Sequence, residues 1–103
     1  MLMYLVKIRI DEEIADEWQR WMQQVHVPDV VKTGCFDKAW IARDTAGDGA
    51  GRRAYRMIYL APSRADYERY QERFAPDLQE DHTRRFEGRF DASREILEVV
   101  GEG

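Results

Sequence analysis

A chain of 103 residues supports one domain with one modest core. Apolar residues make up 44% and aromatics 12%, which excludes a disordered chain. The formal net charge of −4 argues against nucleic acid and anionic membranes as partners, since both are bound by basic surfaces.

Residues 2–10 alternate, with Tyr4, Val6, Ile8 and Ile10 on one side and Lys7 and Arg9 on the other, so the first element reads as a strand. Asp11 is placed to cap a helix, with Glu12 and Glu13 favourable at its N-terminus. Ile14, Ala15, Trp18, Trp21, Met22 and Val25 share one helical arc, and the opposite arc is polar. Pro28 and Gly34 are expected to end that helix and turn the chain. Phe36 to Arg43 reads as a second strand and Arg53 to Ala61 as a third. Asp44 to Gly51 forms the hairpin connection between them.

Pro62 stops the third strand, and Ser63 opens a second helix with Asp66 in an approximate capping box. Tyr67, Tyr70 and Phe74 form its inward stripe, and Pro76 ends or kinks it. A further helical piece from Asp77 carries Leu78, His82 and Phe86 on one face until Gly88. Residues 89–100 read as a fourth strand. The order is β-α-β-β-α-β across residues 1–103, an α+β, ferredoxin-like arrangement with both helical segments on one face of a four-stranded antiparallel sheet.

A lone sheet of this kind should be polar on its helix-free side. Here Ile58 and Leu60 oppose Tyr55, Met57 and Tyr59, and Trp40 opposes Ile41, so both faces carry large apolar side chains. Each such side chain left in water forgoes roughly 1.5–3 kcal/mol of burial. A homodimer pairing sheet to sheet is the expected cover.

Several positions also carry a resemblance. Trp18, Trp21, Met22, His26 and Pro28 are followed by Thr33, Gly34 and Phe36, then by Tyr70, Ala75, Pro76, Leu78, His82, Arg85 and Phe86. In order and spacing the chain resembles a bacterial domain-of-unknown-function family, number 4286, of the dimeric α/β barrel superfamily. The resemblance implies a ferredoxin-like subunit that pairs through its sheet. It implies no activity. Wider relatives include small monooxygenases, isomerases and haem-degrading proteins, with pockets between helices and sheet.

His26 and His82 point inward from the two helical segments, so their rings are candidates to meet at a common cavity. A ring titrating near neutrality suits acid–base work, although a histidine at a helix end more often fixes a turn. Arg43 and Arg94 lie in strands, where a guanidinium on the inner face can clamp an anion; pairing with a nearby acid is the commoner role. Tyr59 and Trp21 join Arg43 as candidate ligand-binding positions; Tyr4, Tyr55 and Tyr59 can line a pocket or fill the core, and packing is the plainer role for them and for Trp21. The lone Cys35 has no histidine at motif spacing. No zinc motif occurs, so no metal and no cofactor are expected, although haem asks for only one axial histidine. The MLMYLVKIRI segment does not read as a signal peptide, and no apolar run is long enough to span a membrane, so a cytoplasmic location is the expectation.

These features point first to a dimer that binds a small organic ligand. A cofactor-independent isomerase or monooxygenase-like enzyme with His26 as base comes second. A structural or partner-binding dimer without a pocket comes third.

Overall fold

Strand β1 (Leu2–Asp11) occupies an inner position of a four-stranded antiparallel sheet ordered β2-β3-β1-β4, in a computed structural model that describes residues 1–103. Strand β2 spans Lys38–Arg43, β3 Arg52–Ala61 and β4 Phe90–Glu98. The helical segments are α1 (Ala15–Trp21), α2 (Val27–Lys32), α3 (Arg64–Arg73) and α4 (Ala75–Phe86). This is the ferredoxin-like architecture, and no helix is long and apolar enough to cross a membrane.

Register assigns the two faces. Tyr4 stands between Tyr59 and Ile96, Val6 between Met57 and Arg94, and Ile8 between Tyr55 and Ala92. This is the helix-covered face, where Tyr4, Val6, Ile8, Tyr55, Met57 and Tyr59 join Trp18, Met22, Tyr70 and Phe86 in one buried cluster. The other face aligns Trp40 with Ile58 and Leu5, and Leu60 with Met3 and Leu97. There Trp40 is 46% and Leu97 49% exposed.

The first helical segment departs from the expected outline. Pro28 does not end it. Met22–His26 form a π-helical turn, and the chain then runs directly into α2 with Pro28 in its first turn. Proline is tolerated there because the wider π-helical turn before it already interrupts the regular i→i−4 ladder. The wider turn also shifts the inward position, so Val25 is exposed while His26 is half-buried. Helix α2 then closes at Thr33, and Gly34 turns the chain at φ +78°, a conformation that favours glycine.

Asp11 does not cap a helix. Its carboxylate accepts from Arg52 Nε at 2.9 Å and from Arg89 Nε at 2.6 Å, so paired guanidinium groups take the oxygens that a cap would use. Ser63 does cap α3: its hydroxyl accepts from the Asp66 N–H at 3.2 Å and donates to the Asp66 carboxylate at 2.8 Å. Phe74 breaks the helix (φ −123°), and Pro76 sits in the first turn of α4. Residues 36 and 37 precede β2, which begins at Lys38.

Candidate functional site

The π-helical turn carries His26 inward from the first helical segment. The break at Phe74 sets the direction of α4, which carries His82. The two imidazoles meet over the sheet with ring centroids 5.8 Å apart. Trp21 packs on both, at 5.5 Å from His26 and 6.0 Å from His82, and Phe90 meets His82 edge-on at 4.6 Å.

His82 has a fixed role. The Trp18 indole N–H donates to His82 Nε2 at 2.9 Å, in a buried contact between residues 64 apart in sequence. An indole nitrogen only donates, so Nε2 carries the lone pair and the proton of the neutral ring sits on Nδ1. Burial, helped by the neighbouring His26 and Arg94, pushes the His82 pKa down to about 4. His26 is also lowered, chiefly by burial and in part by Arg94, while Asp29 and Asp81 pull the other way. The His26 ring nitrogens make no hydrogen bond to protein groups. Both rings are therefore neutral near pH 7.

Beside the histidines lies a cavity of about 40 Å³ between helices and sheet. Its lining includes Tyr4, Tyr59 and Tyr70 deep in the fold and Gln79, Thr83 and Arg94 towards the surface. Thr83, Ala92 and Arg94 are exposed, so the opening lies between α4 and β4. The Tyr4 hydroxyl is buried without a hydrogen-bond partner, in contrast to Tyr55, whose hydroxyl reaches Gln19 Oε1 at 3.0 Å. A buried polar group left unpaired costs about 1–3 kcal/mol, so the Tyr4 hydroxyl is a feature that packing alone does not explain. Burial holds the Tyr59 and Tyr70 phenols above their ordinary pKa, so both keep their protons.

Of the residues singled out from sequence, His26, His82, Tyr59 and Arg94 line this cavity. Arg43 does not: it pairs with Asp48 at 2.6 Å and lies over the Tyr55 ring at 5.1 Å. Trp21 packs behind the histidines, with Arg85 over its ring at 5.0 Å and its own buried N–H unpartnered. Tyr4, which from sequence is either pocket or core, lines the cavity, whereas Tyr70 reads from sequence only as helix packing, because an inward tyrosine looks the same whether its hydroxyl meets packed atoms or a void. No cluster of three or more His, Cys, Asp or Glu is placed to hold a metal ion. The Nε2 of His82 is already engaged by Trp18, whereas the His26 ring nitrogens have no protein partner.

The low pKa of His82 has a measurable consequence. As pH falls from 6.5 to about 4, the unfolded histidine gains a proton while the native one does not, so stability is lost across that window by about 3 kcal/mol. The loss from Asp11, which Arg89 and Arg52 hold below its ordinary 3.8, comes at lower pH. Urea unfolding at pH 7 and 4.5 should show the decline, and His82→Gln should flatten it.

Over residues 1–100 the sequence matches the family described as "Domain of unknown function (DUF4286)". The chain belongs to that family. No curated protein matches it. Among solved structures it is similar to a dimeric ferredoxin-like protein from an uncultured marine organism, with 13% identity, TM-score 0.74, and coverage of 100% of this chain and 98% of that one. It is also similar to a variant of SnoaB, a cofactor-independent oxygenase from Streptomyces nogalater, with 10% identity, TM-score 0.71, and coverage of 98% and 95%. A variant of MhuD with two manganese protoporphyrin IX bound per active site shares 15% identity, TM-score 0.73, and coverage of 100% and 98%. These similarities show the fold.

Proposed function

We propose that this chain forms a homodimer through its helix-free sheet face, and that each subunit binds a small organic molecule between helices and sheet. One observation carries the ligand reading. A void opens beside two neutral histidines and an unpartnered tyrosine hydroxyl, between the helices and the sheet. A site with aromatic walls and a few convergent polar groups fits a small ligand. A dimer with a filled core and no pocket has less support, because it gives the Tyr4 hydroxyl no partner.

The dimer reading rests on Trp40, Leu97, Ile58, Leu60 and Met3, which together form an apolar face that the chain's own helices leave bare. Similar folds described as dimeric favour a second copy as its cover.

A thermal-shift panel of small organic acids, amines and neutral aromatics tests the ligand reading. At least one class should raise the melting point by mass action, and Ala92→Trp, placed at the opening, should abolish the shift. A flat response across the panel contradicts it.

The second reading is a cofactor-independent enzyme, isomerase or monooxygenase-like, with His26 as base. The free ring nitrogen of a neutral His26 facing the cavity favours it. On this reading His26→Ala abolishes turnover while the melting point holds.

A further inference from the structure

The charges around the cavity do not balance. No aspartate or glutamate lines it, and Arg94 is its one fixed charge. Arg94 takes part in no ion pair and donates to no protein acceptor, unlike Arg52 and Arg89, which share Asp11. In the ladder Arg94 stands opposite Val6, on the helix-covered face of the sheet. An exposed guanidinium at the mouth of the cavity with no protein acceptor is free to take an anion from outside the chain.

The buried polar groups have the same bias. Tyr4 is 2% exposed, lines the cavity, and its hydroxyl has no partner. His82 is 5% exposed and also lines the cavity; with Nε2 occupied by Trp18, its remaining polar group is the Nδ1–H donor. Trp18 thus acts as a positioning residue, because it settles which nitrogen of His82 donates. The reverse tautomer would present a lone pair and repel an anion.

We infer that the cavity is a site for a small organic carboxylate, whose oxygens accept from the Tyr4 hydroxyl and the His82 Nδ1–H while Arg94 supplies the balancing charge. This rests on the reading of the cavity as a ligand site. The volume of about 40 Å³ suits a carboxylate group, and the body of the acid then lies in the opening near Thr83, Ala92 and Arg94. The His26 ring lies 5.8 Å from His82 and is neutral, which leaves Arg94 as the positive charge that balances the anion.

Benzoate and benzylamine serve as probes of matched size and opposite charge, titrated into the nitrogen-15-labelled protein while backbone amides are followed by NMR. Benzoate is expected to shift amides of β1, α4 and β4 saturably, and benzylamine is not. Tyr4→Phe and Arg94→Gln are each expected to weaken benzoate by about tenfold, the effect of removing one donor to a charged group. Neither variant breaks a hydrogen bond or ion pair within the native protein, so both retain the fold, and the amide spectrum reports this directly. Equal binding of benzylamine, or benzoate binding that ignores both substitutions, overturns the assignment. Failure of benzoate together with stabilisation by a neutral aromatic from the panel overturns the carboxylate but leaves the ligand site. Failure of every compound removes both.

Discussion

Trp18→Ala is expected to destabilise the protein by about 3–5 kcal/mol, comparable to the whole stability of a weak domain of this size. Two losses combine. Trp18 is fully buried, with its ring 4.8 Å from Tyr55, so truncation leaves a large void between α1 and β3. The same change strips the donor from His82 Nε2 and leaves a buried acceptor unpaired. Trp18→Phe separates the two, since it keeps a six-membered ring in the core while the N–H leaves with the smaller ring of the indole. That variant should lose about 1–3 kcal/mol, the cost of an orphaned buried acceptor plus a small packing defect. Urea unfolding followed by circular dichroism measures both. A loss under about 1 kcal/mol for Trp18→Ala would show that the helix–sheet contact is not what holds α1 down.

Trp40→Glu should turn a dimer into a monomer. Trp40 lies on the helix-free face beside Ile58, and in a symmetric pair the substitution appears twice. Loss of an aromatic anchor commonly costs 2 kcal/mol or more per site, and a carboxylate in an apolar interface adds its desolvation. The dissociation constant should therefore rise at least about a hundredfold. Light scattering at micromolar concentration should give twice the chain mass for the parent protein and the chain mass for Trp40→Glu. Glu68→Lys, on the exposed side of α3, should leave the mass unchanged. A parent protein that is already monomeric would remove the homodimer and the need to cover that face.

The order of the strands was legible because the signals are local. Alternation in residues 2–10 marks β1, and Ser63 with Asp66 marks the start of α3. The π-helical turn was not legible. A helical arc drawn at constant pitch carries Val25 inward and stops at Pro28, whereas one wider turn sends Val25 to solvent, brings His26 in and lets the helix run on. Asp11 misled for a related reason: a carboxylate before a helix looks like a cap, and only the tertiary fold brings Arg52 and Arg89 to it.

The site was half legible. His26 and His82 stood out as the only histidines on two apolar stripes, and the fold brings them together. Arg43 and Arg94 looked equivalent along their strands. What separates them is neighbourhood: Asp48 in the hairpin takes Arg43, while Arg94, on the opposite edge strand, pairs with no acid and lies beside the cavity. The link between Trp18 and His82 joins residues 64 apart, and no sequence spacing announces it.

The most direct test is the protonation pattern of the imidazoles at pH 7, read by long-range proton–nitrogen correlation NMR. His82 should be neutral, with its proton on Nδ1 and a bare Nε2 held by the Trp18 indole. A charged His82, or one protonated on Nε2, would contradict the Trp18 contact and with it the donor-lined cavity.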